Sequence, residues 1–121
     1  CLGMQMLFEK GYEFVECDGL GLIKGSVRKL ESGGLKIPHI GWNDLTVQNP
    51  CAMLDGVPEH SYVYFVHSFC ADTADENISA YTVYGQKIPA LVHSGNVYGA
   101  QYHPEKSGDA GLRMLKNYCE L

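Results

Sequence analysis

An α/β domain, a mixed sheet flanked by helices, is the fold this sequence predicts, and three features carry that expectation. Apolar residues stand at helical spacing near the start (Met4, Leu7, Phe8). A β-branched and aromatic run fills 61–69, with three further short strand patterns behind it. A second helical pattern closes the chain. With 121 residues, 45% of them hydrophobic, and no internal repeat or low-complexity tract, residues 1–121 are expected to form one unit with one small core.

The elements follow in order. The opening helix begins after Cys1 and is expected to end near Gly11, because glycine tolerates the left-handed conformation that closes a helix. An irregular stretch at 17–21 leads into strand and turn at 22–27. Gly19, Gly21 and Gly25 do not make a phosphate loop, since no Gly-Lys-Ser/Thr and no helical pattern follow them. Residues 36–45 read as strand or loop around Pro38 and Gly41. The run at 61–69 has the near-continuous hydrophobicity of a strand buried on both faces. Three strands are expected at 78–84, 88–93 and 97–102, separated by Gly85 and by the hairpin signal Ser94-Gly95-Asn96. Ser107 is expected to cap a last helix, with Asp109 in its first turn and Leu112, Leu115, Tyr118 and Cys119 on its inner face.

Two stretches at opposite ends carry the chemistry: Cys1-Leu2-Gly3-Met4-Gln5 and Tyr102-His103-Pro104-Glu105-Lys106-Ser107. Pro104 disfavours helical backbone at His103, and in extended backbone residues i and i+2 project to one side, so His103 and Glu105 should point together. Glu105 could then hold one ring nitrogen while the other faces a nucleophile. A thiol, an imidazole and a carboxylate so arranged activate cysteine. A helix starting beside Cys1 would also lower its thiol pKa. Each residue alone has an ordinary explanation, a packed cysteine or a hydrogen-bonded strand-end histidine, and only the combination points to catalysis. An N-terminal-nucleophile hydrolase, in which the α-amino group of Cys1 is the base, is the alternative; it would have no use for His103 and Glu105 at this spacing.

Composition narrows the partners. A formal charge of −5 and the lack of any basic block argue against nucleic acid and anionic membrane as main partners. No apolar run approaches the ~18 residues of a membrane span. The five cysteines (Cys1, Cys17, Cys51, Cys70, Cys119) include no C-x-x-C pair, which favours a reducing, cytoplasmic location over a disulfide framework. Five scattered histidines offer no metal-ligand spacing, so no metal site is expected.

Cys-Leu-Gly-x-Gln followed about a hundred residues later by His-Pro-Glu resembles the class I, triad-type glutamine amidotransferases. Lys36-Ile37-Pro38-His39-Ile40-Gly41-Trp42-Asn43, Tyr64-Phe65-Val66-His67-Ser68 and His103-Pro104-Glu105-Lys106-Ser107 are similar, within that family, to the glutaminase subunits of imidazole glycerol phosphate synthases of histidine biosynthesis. Cys-Leu-Gly-Met-Gln also resembles the amidotransferase part of CTP synthase, so the pathway assignment rests on 38–43 and on Lys106-Ser107.

The resemblance covers essentially the whole chain and implies the C-terminal portion of a flavodoxin-like domain. It implies hydrolysis of glutamine to glutamate and ammonia without a cofactor, Cys1 acting as nucleophile, His103 as base, Glu105 as orienting acid and Leu2 as an oxyanion donor. Gln5, Glu13, Ser68 and Phe69 match positions that contact glutamine. Glu13 has a bland alternative as an exposed helix-end acid. Trp42, Asn43, Tyr64 and Lys106 match positions near a cyclase partner, a (βα)₈ barrel bound as a heterodimer that would take the ammonia; Trp42 could equally be a core aromatic. The resemblance further implies chain ahead of the nucleophile, holding the first strands and a glycine-rich loop with a second oxyanion donor, so the sequence reads as part of a longer protein, inactive alone and exposing an apolar face. Three rivals stay open: a sister amidotransferase, a cysteine peptidase or γ-glutamyl hydrolase on the same fold, and a non-catalytic interaction module.

Overall fold

Turning residues interrupt the apolar stretches into short elements, and the computed structural model, which describes residues 1–121, shows where. Helix α1 (Leu2–Gln5) is followed by strands β1 (Lys10–Gly11), β2 (Cys17–Asp18), β3 (Ser26–Lys29), β4 (His39–Asp44) and β5 (Thr46–Val47). Then come β6 (Tyr62–His67), β7 (Phe69–Asp72), β8 (Ile78–Val83), β9 (Lys87–Ser94), β10 (Val97–Ala100), a 3₁₀ turn (Pro104–Lys106) and helix α2 (Gly108–Cys119). The strands form sheets ordered β2-β1-β3-β7 and β10-β9-β8-β5 and a two-stranded ribbon β4-β6. Strands β1 and β3 are parallel and the other pairs antiparallel, so the mixed α/β character holds, though the strands divide among three sheets.

The three strand patterns at 78–102 are found within a few residues of expectation, and β9 and β10 meet through a two-residue turn with Ser94 opposite Val97. Four other expectations are corrected. Helix α1 stops at Gln5, and Gly11 is a strand residue rather than its cap. The carbonyls of Met6, Leu7 and Phe8 accept hydrogen bonds from the backbone of residues 20–23, which replaces the i+4 donors a longer helix would need. Met4 and Phe8 still share one core cluster with Ile23, Val27, Ala71 and Val92. Apolar spacing alone did not distinguish a helix from a tight turn over the same core.

Nor is 61–69 one doubly buried strand. Ser68 breaks it into β6 and β7, and β6 alternates: Val63, Phe65 and His67 are buried while Tyr62 and Val66 are exposed. The β4–β6 ribbon therefore has an inner face on the core and an open face bearing Ile40, Trp42, Tyr62 and Val66.

Helix α2 is present with Asp109 in its first turn, but it is rotated from the expected face. Gly111 and Met114 are buried, whereas Leu112, Leu115, Tyr118 and Cys119 are exposed. Close approach sets the rotation: a Cβ on Gly111 would stand 2.0 Å from the Pro104 carbonyl oxygen. Met114 then reaches the main core, with Leu45, Val63, Phe65, Leu91 and Tyr102 among its members. Ser107 occupies the N-cap position without capping through its side chain. Its buried hydroxyl instead donates to His103 O (2.5 Å) and accepts from Tyr64 N (3.0 Å), tying the turn to β6. No helix is long and apolar enough to cross a membrane.

Candidate active site

His103 leaves β10 after Gln101 and Tyr102. Its backbone is extended (φ −100°, ψ 97°), as expected before proline, and its N–H donates to Tyr64 O (3.0 Å). Glu105 lies in the 3₁₀ turn rather than on a strand, and that turn still brings its Oε1 to 2.8 Å from His103 Nδ1. Partial burial alone would raise the carboxyl pKa of Glu105. Its own backbone N–H and the neighbouring His103 and Lys106 outweigh that and hold it below the usual carboxylate range. Glu105 is thus an anion that can hold an Nδ1–H and leave Nε2 of His103 for another group.

Cys1 is the N-cap residue of α1, exposed, with its nitrogen donating to Gln101 O (3.0 Å). That bond fastens the start of α1 two residues from His103. Contact between α1 and β10 is close because residue 99 is glycine: a Cβ there would lie 2.7 Å from Met4 and Leu7 side-chain atoms. No hydrogen bond joins the Cys1 thiol to His103. A helix of four residues, moreover, has little of the macrodipole expected to act on that thiol.

An open cleft of about 520 Å³ is lined by Cys1, Leu2, Gln5, Glu13, Ser68 and Phe69, together with His67 and three others; His103 and Glu105 do not line it. Cys1 and the residues matched to glutamine contacts therefore surround one space, reached from α1, the loop after β1 and the β6–β7 break. Glu13 lies in that loop, well past the end of α1, so it is not a helix-end acid. Leu2 opens α1, where a backbone N–H has no intrahelical acceptor. Gln5 Nε2 donates to Phe69 O (3.2 Å), and the side-chain amide nitrogen of Gln101 donates to the same carbonyl (3.2 Å).

The residues matched to a partner interface divide. Trp42, 55% exposed, stacks edge-on with Tyr64 on the open face of the ribbon (6.0 Å between ring centroids), which excludes the core-aromatic reading. Lys106 is exposed in the turn after His103. Asn43 belongs to the inner face and donates to Val83 O (3.1 Å), apart from Trp42.

Three residues at the site escaped the sequence reading. Gln101 is completely buried and touches both Cys1 and Gln5. His39 and His67 form a buried pair, His39 Nδ1 to His67 Nε2, 2.9 Å. The only sequence signal for the pair was two histidines at inward positions of neighbouring strands, and that needs the register, which the sequence does not announce.

A family model for "Glutamine amidotransferase class-I" matches residues 1–120. "Imidazole glycerol phosphate synthase subunit HisH" from Bacillus cereus (strain AH187) is 52% identical over 118 residues, 98% of this chain and 56% of that protein. The same figures hold for the proteins of that name from Bacillus thuringiensis subsp. konkukian (strain 97-27) and Bacillus anthracis. The chain spans about half the length of the curated relatives it matches. Among solved structures, a putative GMP synthase subunit from Thermoplasma acidophilum superposes with a TM-score of 0.65 at 18% identity, over 79% of this chain and 47% of that one. At that identity the likeness shows the fold.

Proposed function

The chain belongs to the class I glutamine amidotransferase family, and from that premise we propose that it carries the nucleophile, base and orienting acid of a glutaminase that feeds ammonia to a cyclase. The observation that carries this reading is the His103–Glu105 pair, held two residues beyond the carbonyl that binds the Cys1 nitrogen. No cofactor enters the chemistry.

In the proposed reaction the Cys1 thiolate adds to the side-chain amide carbon of glutamine, forming a C–S bond. The oxyanion meets the Leu2 N–H. Collapse breaks the C–N bond, His103 gives its proton to the departing ammonia, and a γ-glutamyl thioester remains. Water then passes a proton to His103 and attacks the thioester. The C–S bond breaks, glutamate leaves and the Cys1 thiolate is restored beside protonated His103, as at the start. Glu105 keeps Nδ1 protonated so that Nε2 does the transfers. Glu13 suits the α-ammonium of glutamine, and the amides near Gln5, Ser68 and Phe69 suit its polar groups.

The partner in this reading is the cyclase subunit of imidazole glycerol phosphate synthase, a (βα)₈ barrel in a cytoplasmic heterodimer. The similarity to HisH proteins supports the pathway. The exposed Ile40, Trp42 and Tyr62 beside Tyr64 support the docking face, since aromatic residues are favoured interface anchors. With the full encoded chain, glutamate release from glutamine is expected to rise when the cyclase is added and to vanish in Cys1→Ala. Turnover independent of the cyclase, or surviving in Cys1→Ala, overturns the reading. Trp42→Ala is expected to weaken cyclase binding by about 10-fold or more, as loss of a central aromatic anchor does, and isothermal titration checks it.

A further inference from the structure

Strands β4 and β6 put two imidazoles in register at one end of their ribbon, His39 opposite His67, 3% and 5% exposed. His67 Nδ1 lies 2.9 Å from Phe69 O, and His67 Nε2 lies 2.9 Å from His39 Nδ1. A carbonyl oxygen only accepts, so His67 carries a proton on Nδ1. With that ring neutral, Nε2 is an acceptor and His39 Nδ1 must be the donor. Burial keeps both rings toward the neutral form, lowering the pKa of His67 to about 4 and that of His39 below its ordinary value. The His39 ring is also clamped, stacked on Tyr84 (3.9 Å between centroids) and on Phe65 (4.9 Å).

From the Phe69 carbonyl the hydrogen bonds continue. It accepts from Gln5 Nε2 and from the side-chain amide of Gln101, and the Gln101 backbone carbonyl holds the Cys1 nitrogen. An unbroken line of polar contacts thus runs from His39 to the nucleophile turn, along the floor of the cleft, and the reaction steps above use neither histidine. Were the pair only core filling, an aromatic ring of similar shape at position 39 would serve equally well.

We propose that His39 is a positioning residue: its Nδ1–H satisfies Nε2 of His67 and fixes the ring that grips the Phe69 carbonyl, and so holds residues 68–69 and the Gln5 amide in place for glutamine. The substrate half of this statement rests on the glutaminase reading; the hydrogen-bonding half does not. In His39→Phe the stacking is kept and the donor is lost. The Nε2 lone pair of His67 is then buried without a donor, so the ring loses one of its two fixed contacts and its hold on the Phe69 carbonyl loosens.

The test uses the full chain with its cyclase. His39→Phe is expected to raise KM for glutamine about 10-fold while kcat stays within about 3-fold, the mark of lost ground-state binding. His39→Asn, whose amide N–H can take the place of Nδ1–H, is expected to bring KM back to within about 3-fold of the unsubstituted protein. An unchanged KM in His39→Phe, or equal impairment in His39→Asn, overturns the proposal. Ring ¹⁵N shifts of the unsubstituted protein decide the tautomer without any variant. Protons on Nδ1 of both His39 and His67 support the proposal, and a proton on Nε2 of neutral His67 sinks it. A protein without glutamine turnover but with the expected tautomers would defeat the glutaminase reading and leave the clamp standing.

Discussion

The His103–Glu105 corner and the His39–His67 floor hold imidazoles at nearly the same distance, 2.8 and 2.9 Å, by contrasting means. At the corner the partners are two residues apart, the side chains are 30% and 55% exposed, and the acceptor is an anion. On the floor the partners are 28 residues apart, both rings are buried, and the final acceptor is a backbone carbonyl. An exposed carboxylate can stabilise an imidazolium that forms and disappears, which suits a proton carrier. A buried ring kept neutral suits a fixed strut. The contrast separates a histidine placed to change its charge from one placed to keep it.

The largest expected effect tests that division directly. His67, not His103, lines the cleft with Cys1, so the floor could in principle be the base. If the corner carries the proton, His103→Asn lowers kcat for glutamine hydrolysis by about 10³-fold or more, the upper range for a general acid and base used twice. His67→Gln would act chiefly on KM. Single-turnover glutamate release in the cyclase complex measures both. A kcat loss in His67→Gln as deep as that in His103→Asn would reverse the roles.

A second, smaller effect concerns stability. The pKa of His67 falls from 6.5 to about 4 on folding, so the unfolded chain binds the extra proton first as pH drops. The contribution of neutral His67 is fully present above pH 6.5 and is lost as pH falls toward 4, about 3 kcal/mol over that window. Melting temperature should therefore fall on acidification between those values, and His67→Gln should flatten the slope. An equal slope in the variant would show that the floor histidine is not held neutral.

The two regions also differ in how far the sequence disclosed them. Proline beside histidine dictates local backbone, and a carboxylate two residues from the ring is within reach through either a strand or a 3₁₀ turn. The His103–Glu105 contact therefore survived a mistaken expectation about the element that carries it. The strands at 78–100 were legible for a similar reason, since Gly85 and Ser94-Gly95-Asn96 mark their ends locally. Whatever depended on distant partners was not legible. Helix α1 ends at Gln5 because residues 20–23 claim its next carbonyls. Helix α2 buries Met114 instead of Leu115 because Gly111 must lie against Pro104. The His39–His67 pair exists only through the β4–β6 register.

The smallest effect expected is at Glu105. A buried acid that orients a catalytic imidazole is costly to neutralise, since amide substitution can invert the tautomer and remove most activity. The Glu105 side chain is 55% exposed, and water can accept the Nδ1–H in its place. A glutamine Oε1 can accept it as well. Glu105→Gln should therefore lower kcat by only about 10-fold, measured by single-turnover glutamate release in the cyclase complex. A loss of kcat approaching that of His103→Asn would mean that in the working complex this corner closes and dries, and that the cyclase, or further chain, completes around Glu105 the burial that His67 already has.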